Sequence, residues 1–209
     1  MDVQYEKYAK SRLKGNFREM SSWGFVLPYL KGKRVLDVGC SDGLYLEQLS
    51  VNSVGIEQVA ALADAGRRKG LNIINGDVIE TIEEISDCSF DGVLFSHVME
   101  HVDCPIVMLR EIHRVIKPGG ILVLGLPTER NIYRDILRMD YFNGTHIYAF
   151  TVRNTLKLLG DTKFKPKRIF FHLPKCRSQP GHAIESLWNA ARWPFREYFS
   201  LAYWVVAEK

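Results

Sequence analysis

Arg34-Val35-Leu36-Asp37-Val38-Gly39-Cys40-Ser41-Asp42-Gly43 reads as a buried strand turning into a helix, an apolar run that closes on an acid and then on two glycines four apart. A second apolar run ends at Glu57, twenty residues after Asp37. That is about the separation between a first strand end and a ribose-binding carboxylate in a nucleotide-binding βαβ unit. The pair predicts a nucleoside ligand.

Charge narrows the ligand. A dinucleotide site uses G-x-G-x-x-G, which lets backbone N–H groups and a helix N-terminus approach a pyrophosphate. The turn here is G-x-x-x-G, with Asp37 before it and Asp42 inside it. Two carboxylates there would repel a phosphate and attract a cation. S-adenosylmethionine has no phosphate, carries an ammonium and a sulfonium, and presents ribose hydroxyls to a second carboxylate. Asp37 and Glu57 therefore suit it better than NAD.

Outward from this turn, 44–49 reads as a short helix, 53–56 as a second strand ending at Glu57, and 59–69 as an alanine-rich helix stopped by Gly70. A third strand, 72–75, delivers Gly76-Asp77, and Asp77 also suits the N-cap of a helix over 78–85. The strand 92–95 is continuously apolar, as in a central strand covered on both faces. In open α/β sheets ligands sit outside the carboxyl ends of the strands, so Asp37, Glu57, Asp77 and the stretch 96–101 should surround one crevice.

The residues Asp37 to Gly43, Glu57, Asp77, Phe90-Asp91-Gly92-Val93-Leu94-Phe95-Ser96 leading to Glu100-His101, and Lys117-Pro118-Gly119-Gly120 resemble the ordered motifs of class I S-adenosylmethionine-dependent methyltransferases. The resemblance covers roughly residues 30 to 209, with Ser41 where the family often has a middle glycine. It implies an α/β, doubly wound, mostly parallel seven-stranded sheet whose last two strands form an antiparallel hairpin. It also implies that Asp37, Gly39, Cys40, Gly43, Glu57, Gln58, Asp77, Val78 and Ser96 hold the cofactor. Asp77 would accept from the adenine amino group, with Val78 supplying the neighbouring amide.

Composition agrees with one soluble domain. The chain has 209 residues, 46% hydrophobic and 25% charged, and its apolar runs are too short to span a bilayer. The N-terminus has no apolar core of a signal peptide, so a cytoplasmic protein is expected. Four cysteines without a C-x-x-C pair, Cys40, Cys88, Cys104 and Cys176, argue for reduced thiols rather than a zinc cluster or a disulfide framework. The net charge of +4 is concentrated between Asp161 and Arg177, where six Lys or Arg face one Asp. This segment is read as a charged edge strand or as a contact for an anionic partner.

The acceptor side is less periodic. Residues 5–31 suggest one or two helices with an irregular stripe that includes Tyr5, Tyr8, Phe17 and Trp23; Tyr5 and Trp23 either reach the ligand or cover the sheet. Glu100 and His101 either bond nearby backbone or act chemically. Ubiquinone-pathway O-methyltransferases, which this stretch resembles, carry Glu-x-x-Glu-His here, implicated in divalent-metal binding; His97 replaces the first Glu, so no metal is assigned. Residues 105–116 form an amphipathic helix with His113 on the wet face, ended by Pro118-Gly119-Gly120 before a strand at 121–126. A helix over 131–139 leads into Tyr141, Phe142 and His146. A His-x-x-x-Phe-Ser/Thr stretch resembling 146–151 occurs in many small-molecule methyltransferases. His146 is a candidate general base or a structural loop histidine, and His101 a second catalytic candidate.

Thr151 should cap a helix ending at Gly160, 163–172 an edge strand with Pro166, 183–193 a helix with Ile184, Leu187, Trp188 and Ala191 on one side, and 201–207 the last strand. Phe195, Tyr198 and Phe199 form core, a lid or a membrane-surface contact. The inserts 128–150 and 174–199 are aromatic enough to enclose a small-molecule or lipid-like acceptor, with no stable nucleic acid partner expected. RNA or protein methylation, a non-catalytic S-adenosylmethionine-binding regulator and an NAD-linked dehydrogenase are the alternatives.

Overall fold

A computed structural model describes residues 9–14, 20–139, 146–174, 179–191 and 195–209. The expectations for Tyr5, Tyr8, Phe17, Tyr141, Phe142, Cys176 and a helix break at Pro194 lie outside them. Seven strands form one sheet: β1 (Val35–Val38), β2 (Val54–Glu57), β3 (Ile73–Asn75), β4 (Phe90–Ser96), β5 (Ile116–Pro127), β6 (Lys165–His172) and β7 (Ala202–Glu208). Their order is β3-β2-β1-β4-β5-β7-β6. All neighbours are parallel except β7, which runs antiparallel to both β5 and β6. The sheet is therefore the doubly wound, mostly parallel one that the motifs imply.

The reason for this layering is readable in the central strands. Along β4, Val93 and Phe95 face one apolar cluster while Leu94 faces another; along β7, Tyr203 and Val205 alternate in the same way with Trp204 and Val206. All seven are fully buried. Side chains alternate across a strand, so an unbroken apolar run must be covered on both faces. Helices supply the cover: α1 (Trp23–Leu30), α2 (Ala60–Arg68), α3 (Val78–Glu83), α4 (Pro105–Val115), α5 (Ile132–Leu137), α6 (Val152–Asp161) and α7 (Gln179–Ala190). On α4, Met108, Leu109, Ile112 and Val115 form the buried stripe. Truncating Leu109 to alanine should cost about 2–5 kcal/mol.

Several boundaries differ from the sequence reading. Residues 44–49 yield only a 3₁₀ turn, Leu46–Gln48. β5 begins at Ile116, which pairs with Phe90, and the next pair is Gly92 with Ile121; Pro118-Gly119-Gly120 is thus an irregularity inside the strand, and α4 has already ended at Val115. His113 is partly exposed, with its ring edge-on to Phe164 and the centroids 5.0 Å apart. Gly160 sits within α6, whose Thr151 cap forms a full capping box with Asn154. On α7, Ile184 and Leu187 are exposed, whereas Glu185 is fully buried and accepts from Leu173 N at 2.9 Å. Here a tertiary pairing has overridden the apolar stripe. β6 is the charged edge strand expected, with residues 165–168 exposed and Pro166 among them. No helix among the described residues is long and apolar enough to cross a membrane.

Candidate active site

The strand order reverses between β2 and β4 on either side of β1, and the crevice at such a switch point is where α/β sheets bind ligands. A cavity of about 740 Å³ opens there. Asp37, Gly39, Cys40, Glu57, Gln58, Asp77, Val78, Ser96, His101 and His146 all line it. Gly43 does not.

The turn after β1 explains both glycines. Gly39 has φ +72°, and a Cβ there would stand 2.4 Å from Val98 Cγ2. Gly43 has φ +84° and presses instead on Leu71, so it holds the loop against the helical layer rather than the ligand. Ser41, in the place of a family glycine, takes the left-handed conformation at φ 56°. Its N–H donates to Glu57 Oε2 at 2.9 Å, and Val59 N–H donates to Glu57 Oε1 at 2.7 Å.

Two acids form the floor of the cofactor half. Asp37 is almost wholly buried and its Oδ2 has no hydrogen-bond partner. Burial, and then the neighbouring Glu57 charge, push the Asp37 carboxyl up to about 7 against the pull of Arg12. Burial also raises Glu57, offset in part by the amides of Val59 and Ser41. Asp77 caps α3, accepting from Ile79 N at 2.8 Å and Glu80 N at 3.2 Å, while also lining the cavity.

Asp42 corrects the charge argument. It does not line the cavity; Arg12 Nε donates to it at 3.1 Å and Lys69 Nζ at 3.1 Å. Burial works against its charge, but Arg12 and Lys69 hold the carboxyl below its ordinary range. The case against a phosphate ligand therefore rests on Asp37 and Glu57 alone. Of the two readings for Trp23, covering the sheet is the one found: it is 1% exposed, donates to Gln48 Oε1 at 3.0 Å and packs on Tyr45 and Trp204.

The far side of the cavity is built from side-chain pairs, one within a single turn and the others between separate segments. His97, at φ 55°, ends β4 and brings Nδ1 to 3.4 Å from Glu100 Oε1. Glu100 is fully buried, and neither of its carboxylate oxygens has a hydrogen-bond partner. His101 and His146 meet edge to face with centroids 4.8 Å apart. His146 Nδ1 contacts Glu129 Oε1, and Arg134 stands 3.6 Å from the other Glu129 oxygen. One ligand atom each from Glu100, His101 and His146 lies within 4.8 Å of the others, close enough to share a cation. One carboxylate and two imidazoles suit a borderline metal better than magnesium.

Sequence reasoning missed Arg12, Tyr45, Glu129 and Arg134 in or beside this cavity. Glu129 had a signal, because it lies just beyond the carboxyl end of the strand read at 121–126. Arg12 had none, since it arrives from a short helical segment over 9–13.

Comparison with known proteins agrees with this geometry. Residues 36–124 match the family described as a methyltransferase domain. A ubiquinone biosynthesis O-methyltransferase of Xanthomonas oryzae pv. oryzae is 35% identical over 103 residues, which are 46% of this chain and 43% of that enzyme. The one of Paracidovorax citrulli is 30% identical over 148 residues, 63% of this chain and 62% of the relative. The chain thus spans less than half the length of the first of these. Among solved structures, a SAM-dependent methyltransferase from Archaeoglobus fulgidus superposes with a TM-score of 0.71 at 23% identity, covering all of both chains. Residues 36–124 thus match a methyltransferase domain, and the sheet is the one found in SAM-dependent methyltransferases of known structure.

Proposed function

We propose that the protein transfers a methyl group from S-adenosylmethionine to a hydroxyl of a small-molecule or lipid-like acceptor. The observation that carries this reading is one cavity joining the buried carboxylates of Asp37 and Glu57 to the imidazoles of His101 and His146. The buried, partnerless oxygen of Asp37 fits a ligand that brings a cation. Glu57, its two oxygens oriented by backbone amides, has lone pairs left for ribose hydroxyls. Asp77 would take the adenine amino group, with Gly39, Cys40, Gln58, Val78 and Ser96 shaping the walls. The name of the Xanthomonas relative, an O-methyltransferase of ubiquinone biosynthesis, supports an oxygen acceptor of this kind.

When bound, S-adenosylmethionine supplies a methyl group activated by its sulfonium: the oxygen–carbon bond forms as the carbon–sulfur bond breaks, and the electron pair stays on sulfur. The protein holds the acceptor oxygen in line, excludes water and accepts the acceptor's proton. Positioning of this kind contributes about 7–11 kcal/mol to such reactions. His146 takes the proton, since an imidazole can accept one near neutral pH.

The test is incubation of the purified protein with methyl-labelled S-adenosylmethionine and fractionated cell extract. Label should appear in the organic or small-molecule fraction. Label in RNA or protein would overturn the acceptor class.

A further inference from the structure

We infer that Glu129 is a positioning residue that fixes the tautomer of His146, keeping its proton on Nδ1 and leaving the Nε2 lone pair for the acceptor hydroxyl. This rests on the methyl-transfer reading above and deepens it. Glu129 is 3% exposed, and Oε1 contacts His146 Nδ1. An ionised carboxylate only accepts hydrogen bonds, so the ring nitrogen facing it must be the donor. With Nδ1 taken, Nε2 is the nitrogen left to receive a proton in the cavity that His146 lines.

The carboxylate is itself held in place. Glu129 directly follows Thr128, whose N–H donates to Leu201 O at 3.0 Å and whose hydroxyl donates to Ser200 O. Asn131 Nδ2 ties back to Thr128 O at 2.7 Å. The guanidinium of Arg134, on α5, lies 3.6 Å from Glu129 Oε2, and α5 is anchored in turn by the bond from Tyr198 to Asp135. The other titratable groups around the ring are His101, edge-on at 4.8 Å, and the Glu100–His97 pair behind it. Loss of the acceptor O–H proton to Nε2 makes an imidazolium, whose charge replaces the one the sulfonium gives up. The Glu129 carboxylate, at the opposite nitrogen, is placed to stabilise that charge.

The ring's tautomer can be read without turnover. Protein labelled with ¹⁵N-histidine is examined by long-range ¹H–¹⁵N correlation, which distinguishes the two neutral tautomers from the doubly protonated ring. Comparison with His146→Gln identifies the signal among the six histidines. The wild-type ring should be the Nδ1–H tautomer. In Glu129→Leu, an apolar replacement for a buried carboxylate, it should shift toward Nε2–H. S-adenosylhomocysteine affinity should stay within about twofold, as for sites that share no partner, while methyl transfer falls at least about tenfold. An Nε2–H ring in the wild type, or an unchanged Nδ1–H ring in Glu129→Leu, would overturn the assignment. Failure of the wild type to bind S-adenosylhomocysteine would instead sink the methyl-transfer reading, leaving the tautomer result intact.

Discussion

The two halves of the cavity are built differently. In the cofactor half the functional acids are fixed by backbone: Glu57 is held by the amides of Ser41 and Val59, and Asp77 by those of Ile79 and Glu80. In the acceptor half the contacts run from side chain to side chain, within one turn for His97 and Glu100 and between separate segments for Glu129 and His146 and for Tyr198 and Asp135. A backbone-held site tolerates change at its rim and depends on the loop. A side-chain-held site can be retuned one residue at a time, which suits a family that keeps one cofactor and varies its acceptors.

Variants should therefore separate along this line. Asp37→Asn keeps the shape but removes the carboxyl that can ionise against a cationic ligand, and should weaken S-adenosylhomocysteine binding about a thousandfold. Calorimetry checks it, and near-native affinity would place the ligand's cation elsewhere. His146→Ala should have the complementary effect: methyl transfer falls at least about a hundredfold while cofactor affinity stays the same. If binding and transfer fall together, the halves are not separable.

Titration sharpens the contrast. Folded Asp37 holds its proton up to about pH 7, above its ordinary value of 3.8. Between about pH 4 and pH 7 the unfolded chain's Asp37 ionises while the folded one keeps its proton, so stability falls as pH rises, by about 4 kcal/mol across the range. Urea unfolding across that range should show this slope in the wild type and a flatter one in Asp37→Asn; equal slopes would show that Asp37 ionises freely. Smaller still is the difference between the two turn glycines. Gly39→Ala should impair cofactor binding, because its Cβ meets Val98 in the cavity wall. Gly43→Ala should cost stability, roughly 1–3 kcal/mol from its left-handed φ, with less effect on binding. Added magnesium should change the transfer rate less than about twofold, given a donor set poor for that ion; a rate that rises with magnesium would contradict this.

The cofactor half was readable from the sequence because its contacts are local or set by strand order. Asp37 and Glu57 end adjacent parallel strands, so an apolar run closed by an acid locates each of them. The acceptor half was only partly readable. His146 was marked by its residue type, but its partner Glu129 lies 17 residues away with no periodic spacing to link them. Asp42 was misplaced for a related reason: its identity suggested charge in the crevice, yet Arg12 and Lys69, distant in sequence, draw it to the outside. α7 shows the same limit: Ile184 and Leu187, read on one side of the helix, are exposed, while the buried acid beside them, Glu185, serves Leu173. Propensity and period locate elements, and tertiary pairing decides which face is buried.

The most direct measurement is a pair of calorimetric titrations of the purified protein, one with S-adenosylhomocysteine and one with NAD. Binding of S-adenosylhomocysteine at one site, with none of NAD, is expected from a crevice floored by Asp37 and Glu57. Binding of NAD without S-adenosylhomocysteine would contradict it, because a pyrophosphate would then sit against two buried carboxylates.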